Sequence, residues 1–170
     1  MSEQNTAEPV SPQDREYLHR CVALAAEALA EGDEPFGSVL VDPRGEVLFE
    51  DRNRVKDGDG TRHPEFEIAR WAAANVAPGE RSGCVVYTSG EHCPMCSAAH
   101  AWVGLGGIVY AVSSEQLTAW RSGWGIPPGP VTPLPIRAVA PDIPVSGPDP
   151  VLAAEVRVLH ARRHGVDESN

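Results

Sequence analysis

Two prolines, each placed directly after a residue type that binds metals, constrain this chain more than any other feature. His63 is followed by Pro64, and Cys93 by Pro94. Proline suits the first turn of a helix, where its missing N–H costs nothing. The spacing therefore predicts two helix starts capped by His63 and Cys93. Cys96 lies one turn into the second helix, and Glu65 two residues beyond the histidine. One imidazole and two thiols with a fourth position open describe a catalytic zinc site, whereas a structural site closes with four protein ligands. Glu65 is then left over, and a carboxylate beside an open metal position serves as a general base. Taken alone, Cys93-Pro94-Met95-Cys96 has the spacing of a redox pair as well. A closed zinc site completed by His92 or His100 is the other alternative, and it leaves Glu65 without a role.

With 170 residues, 42% of them apolar and 22% charged, the chain suffices for one domain with a sizeable core but not for two. Residues 1–10 are polar and acidic and are expected to be a mobile tail, with a single domain over 11–170. Twenty-four acidic residues stand against 14 basic ones, giving a net charge of −10 with one lysine in the chain. No Lys/Arg cluster is visible beyond Arg162-Arg163, so a phosphate backbone is a disfavoured partner. No stretch resembles a signal peptide or a membrane span, and four cysteines without an export signal do not read as a disulfide framework. The cytoplasm is the expected location.

Ser11-Pro12-Gln13-Asp14 reads as a helix start, followed by Tyr17, Leu18, Cys21, Val22, Leu24, Ala25, Ala28 and Leu29 at helical spacing and a stop at Gly32. Cys21 and Cys84 are expected to be packing residues. Ser38–Val41 and Glu46–Phe49 flank the turn Asp42-Pro43-Arg44-Gly45 and predict a hairpin. After the helix that starts at Pro64, Cys84–Thr88 and Ile108–Val112 are apolar, β-branched runs of buried strands, separated by a helix from Pro94 to about Val103. That succession implies a parallel crossover on a sheet covered by helices on both faces. A short helix is expected over Glu115–Trp120. Residues 122–150 are rich in proline and glycine and read as an irregular segment, with Ile143-Pro144-Val145 a candidate edge strand. Asp149-Pro150 caps a last helix.

The segments Pro35-Phe36-Gly37-Ser38-Val39, Asn53, His63-Pro64-Glu65 and Thr88-Ser89-Gly90-Glu91-His92-Cys93-Pro94-Met95-Cys96 together resemble the cytidine deaminase superfamily, whose nucleobase-modifying members carry H-x-E and C-x-x-C signatures. The likeness covers about residues 12–118 and is nearest to the guanine deaminase and tRNA adenosine deaminase branch. It implies a three-layer α/β/α sandwich with a mixed central sheet, a homodimer, and Zn²⁺ on His63, Cys93 and Cys96. It implies Glu65 as the proton shuttle, Asn53 as a hydrogen-bonding partner of the substrate ring, and Phe36 and Trp102 as residues that shape or stack on it. The branch usually has alanine where Pro64 stands and proline where His92 stands. Both departures alter walls beside the metal and neither removes a ligand; His92 is expected at the surface or behind the ligands. The expected activity is hydrolytic removal of an amino group from a small free heterocycle such as guanine, cytosine or a related purine, pyrimidine or triazine. RNA adenosine editing and a non-catalytic zinc or redox module are the alternatives.

Overall fold

A strand buried along its whole length needs cover on both faces, and Gly37–Val41 (β1) is such a strand. The computed structural model describes residues 7–168. In it β1 pairs antiparallel with Val47–Arg52 (β2) on one side and with Val85–Gly90 (β3) on the other. Ile108–Val112 (β4) lies parallel to β3, and Val145–Ser146 (β5) parallel to β4. The order is β2-β1-β3-β4-β5, a mixed sheet.

Alternate residues sort the helices into two layers. Val39, Val41, Tyr87, Val109 and Ala111 pack against Pro12–Ala30 (α1) and Pro150–Arg163 (α6). Leu40, Val86, Ile108 and Tyr110 face the other way, onto Ile68 and Ala72 of Pro64–Asn75 (α2) and Ile136 of Ile136–Val139 (α5). Pro94–Val103 (α3) packs beside α2 and α5. The fold is the expected three-layer α/β sandwich. Cys21 and Cys84 are both core residues.

The helix starts follow their sequence signals. Ser11 and Asp14 cap each other across the first turn of α1. Asp149 accepts the Val151 and Leu152 N–H groups, each at 3.0 Å, and Arg15 Nε at 2.7 Å. One carboxylate thus joins the starts of α1 and α6, and the two helices run to the same end of the sheet. Gly37 lies where β1 meets α1 so closely that a Cβ would overlap the Cys21 carbonyl and the Leu24 side chain.

Three expectations need correction. Ala7–Val10 is not a free tail: Glu8 donates its N–H to the Val145 carbonyl at 3.0 Å and accepts from Gly147 N–H at 2.9 Å, continuing the sheet past its edge strand. Residues 1–6 lie outside the described residues. The segment 122–150 is not irregular throughout: besides the edge strand expected near Ile143-Pro144-Val145, which is β5, it contains α5, because Ile136 is apolar enough to join the core despite the surrounding prolines. The short helix extends over Ser114–Gly123 (α4), held by a capping box of Ser113 and Gln116. Among the described residues no helix is long and apolar enough to cross a membrane.

At the far end of α6, His160 is 1% exposed and meets the Phe36 ring edge-on, with centroids 5.0 Å apart. Burial, with smaller contributions from Arg121 and His164, pushes its pKa down from 6.5 to about 3. The folded chain therefore holds this imidazole neutral where the unfolded chain protonates it, so its contribution is complete above pH 6.5 and is lost as pH falls toward 3. Between pH 7.5 and 5.5 the wild type should lose about 1.4 kcal/mol more unfolding free energy than His160→Gln. Urea titrations at the two pH values measure this, and equal losses would show that His160 protonates freely in the fold.

Candidate active site

His63 and Cys93 are the N-caps of α2 and α3, each in extended backbone conformation and each followed by a proline at the first helical position. Neither side chain makes a capping hydrogen bond, so both are free for another partner. His63 Nδ1 lies 3.5 Å from Cys93 Sγ and 3.6 Å from Cys96 Sγ, and the two sulfurs are 3.5 Å apart. Tetrahedral zinc, with Zn–S about 2.3 Å and Zn–N about 2.0–2.1 Å, calls for S···S near ~3.8 Å and S···N near ~3.6 Å. The three donors therefore fit the ion. Among the described residues no fourth metal-binding side chain joins them. His100 Nε2 sits 2.6 Å from the Gly106 carbonyl instead.

The electrostatics are those of crowded acids. Cys96 first, and then His63, hold the Cys93 thiol down to about 4. Cys93 in turn raises the Cys96 thiol well above its ordinary value, with burial and Glu65 adding to the rise. The bond to Cys93 raises the His63 pKa. Glu65, 5% exposed, is raised chiefly by burial, against the pull of His63 and Thr88.

Glu65 is oriented by two hydroxyls that the sequence motif does not include. Its Oε1 accepts from Thr88 Oγ1 at 2.8 Å and from Ser38 Oγ at 3.1 Å, while Oε2 lies 3.8 Å from Cys96 Sγ. One oxygen is tethered to the sheet and the other faces the donor cluster. Ser38 and Thr88 are register partners on β1 and β3, both fully buried. The available sequence signal was a polar residue inside each of two otherwise apolar runs.

The proposed substrate contacts fare differently. Asn53 is 2% exposed; its Oδ1 accepts from Val55 N–H at 3.1 Å, and its own N–H donates to the Phe36 carbonyl at 3.0 Å. Its side-chain oxygen thus holds the turn between β2 and α2. Phe36 is half-buried and packs over Gly90, where an added Cβ would come within 3.0 Å of the ring. It thus stands at the strand end that leads to Cys93. Trp102 does not shape the site of its own chain. It is 90% exposed, six residues and about 120° around α3 from the buried Cys96. His92 is not at the surface: it is 1% exposed and edge-on to His100, with centroids 5.2 Å apart. Burial, aided by His100, holds its pKa well below the ordinary value.

The fold also gathers a basic cluster that is dispersed in the sequence. Arg52, Arg54, Lys56 and Arg62, which neighbour Asn53 and His63 along the chain, line a cavity of about 290 Å³ with Asp33 and Asp57. Most of this charge is locally balanced: Arg52 meets Asp33 at 3.2 Å, Arg54 meets Asp51 at 3.2 Å, and Lys56 meets Glu31 at 3.9 Å. A larger cavity, about 530 Å³, lies at the other end of β3 and β4, lined by Val85, Gly107 and Arg137 among others, away from the donor cluster.

Residues 11–112 match the sequence model of the cytidine and deoxycytidylate deaminase zinc-binding region. The chain belongs to this family. It is 35% identical over 108 residues to a probable cytosine deaminase of Schizosaccharomyces pombe, a match covering 64% of this chain and 65% of that protein. It is 36% identical over 110 residues to the guanine deaminase of Bacillus subtilis, covering 64% of this chain and 69% of that one. The matched part thus spans just under two thirds of the first relative's length. A solved structure of guanine deaminase from Nitrosomonas europaea superposes with a TM-score of 0.67 over 95% of this chain and 89% of that one, at 19% identity, a likeness of fold. The family's zinc region coincides with the part of the chain that supplies all three donors.

Replacing Cys93 by alanine removes one corner of the donor triangle. Cys93→Ala should therefore lose bound zinc and several kcal/mol of stability together. Metal analysis and thermal melts of wild type, variant and chelator-treated wild type would check this; a variant with full zinc content contradicts the ligand assignment.

Proposed function

We infer that this protein is a zinc-dependent hydrolytic deaminase that removes an exocyclic amino group, as ammonia, from a small free nitrogen heterocycle: an aminopurine, an aminopyrimidine or an aminotriazine. The observation that carries this reading is the split anchorage of Glu65, with Oε1 tied to Ser38 and Thr88 and Oε2 facing the cluster of His63, Cys93 and Cys96. Bound to those three side chains, zinc supplies Lewis-acid activation of a water molecule.

The chain's own part is proton transfer and placement. Glu65 Oε2 takes a proton from the attacking water and delivers it to the ring nitrogen beside the amino-bearing carbon. The water oxygen bonds to that carbon, its second proton leaves with the amino group, and the carbon–nitrogen bond breaks to give a ring carbonyl and ammonia. Burial keeps the Glu65 pKa high, which suits a group that must carry the proton between two steps. Asn53 offers its amide nitrogen to the ring and Phe36 a flat apolar wall. The net charge of −10 and the paired state of most cations beside the site support a small neutral substrate over a polynucleotide. A homodimer belongs to the same reading, since it offers cover for the exposed Trp102.

Ammonia release over a panel of free bases, nucleosides, aminotriazines and tRNA is the direct test. At least one free heterocycle should be deaminated, and Glu65→Gln should lose more than about a hundredfold of that turnover while keeping its zinc. Release from tRNA alone would overturn the substrate class, and loss of zinc in Glu65→Gln would overturn the role of the carboxylate. Sedimentation should give a dimer at micromolar concentration.

A further inference from the structure

Glu91 lies two residues before Cys93 and plays no part in the scheme above. Its carboxylate spans two helix starts. Oε2 accepts from the N–H of Ser114, the first residue of α4, at 2.7 Å; Oε1 accepts from the N–H of Ile136, the first residue of α5, at 2.8 Å. Its own backbone N–H donates to the Val112 carbonyl at 2.8 Å, so the anchor point is fixed to the end of β4. Both helix starts have backbone N–H groups without intrahelical partners, and an ionised carboxylate satisfies one on each with short, charge-assisted bonds.

What these helices touch gives the contact its consequence. α5 carries the fully buried Ile136 and packs against α3, the helix that holds Cys96. From α4, Arg121 meets the Glu34 carboxylate at 3.5 Å, and the Glu34 backbone carbonyl accepts the Phe36 N–H at 2.9 Å. Arg163 of α6 reaches the same carboxylate at 3.3 Å. One side chain near Cys93 thus ties the starts of α4 and α5 together, and through α4 it reaches the loop carrying Phe36. We propose that Glu91 is a positioning residue that sets the Phe36 wall of the pocket relative to the metal ligands, acting through α4 and the Arg121–Glu34 contact.

The inference rests on the proposed function for its kinetic readout and has a second readout that needs no turnover. Glu91→Gln keeps the shape but presents one oxygen and one amide to two N–H donors, so one tie is broken. The variant should keep its zinc, change kcat less than about threefold and raise KM for the best free heterocycle by about ten- to a hundredfold. Arg121→Met should also raise KM with zinc retained, and the double variant should be no worse than Glu91→Gln alone, because the two act in series. Hydrogen exchange at residues 113–117 and 135–139 should quicken in Glu91→Gln. Unchanged KM, multiplicative effects in the double variant, or zinc loss in Glu91→Gln would each overturn the proposal. If no heterocycle is turned over, the proposed function fails on its own; unchanged exchange at those two segments would then overturn the role of Glu91 separately.

Discussion

Acidic groups packed too closely to ionise together are the constraint on which the structure turns. Cys93, Cys96 and Glu65 lie in one cluster; Cys93 ionises readily, Cys96 is raised by its bond to Cys93 and by burial, and Glu65 is raised chiefly by burial. A dication relieves this, since it deprotonates coordinated thiols and offsets the charge of both. The fold contributes the positive ends of two helices, α2 and α3, aimed at the same point. It also contributes two neutral hydroxyls, Ser38 and Thr88, which hold the carboxylate without adding charge. A lysine or arginine there would have competed with the metal.

Sheet topology explains how segments far apart in sequence meet at that point. β3 and β4 run parallel, so both end beside α3 and α4, with Gly90 paired to Val112. β1 runs antiparallel to β3, so its start, Phe36 to Ser38, arrives at the same end. Open sheets place their ligand sites at the carboxyl ends of parallel strands, where loops can converge without crossing the core. Here the antiparallel neighbour adds an entering loop to the leaving ones. Phe36 and one of the two tethers of Glu65, Ser38, therefore come from one strand start.

Much of this was legible because the signals are local. Prolines at first helical positions, Ser11 and Asp149 as caps, and apolar runs over 84–88 and 108–112 each act within a few residues, and the structure places each element as expected. The exceptions all depend on direction or distance in space. Trp102 is close to Cys96 in sequence, yet helical rotation carries it away from the site. Arg52, Arg54, Lys56 and Arg62 are unremarkable along the chain and adjacent once β2 turns into α2. Glu8 joins the sheet only because β5 offers it an unpaired edge, and Glu91 finds two partners 23 and 45 residues ahead.

The two places where the motif departs from its branch show which features can vary. Pro64 stands at the first position of α2, where a backbone N–H is without a helical partner in any case, so the ring takes nothing from the helix and fills buried space beside Glu65. His92 precedes the N-cap of α3 and is buried against His100, held neutral by its apolar surroundings. With both residues in place, the three metal-facing atoms fit one tetrahedral ion. Both are buried, Pro64 between His63 and Glu65 in the chain and His92 next to Cys93. The caps and the strand register fix where the donors and Glu65 stand, while these two residues only have to pack. On the proposed function, a ring is chosen less by the donors than by how Phe36, Asn53 and the helices tied by Glu91 are held around them.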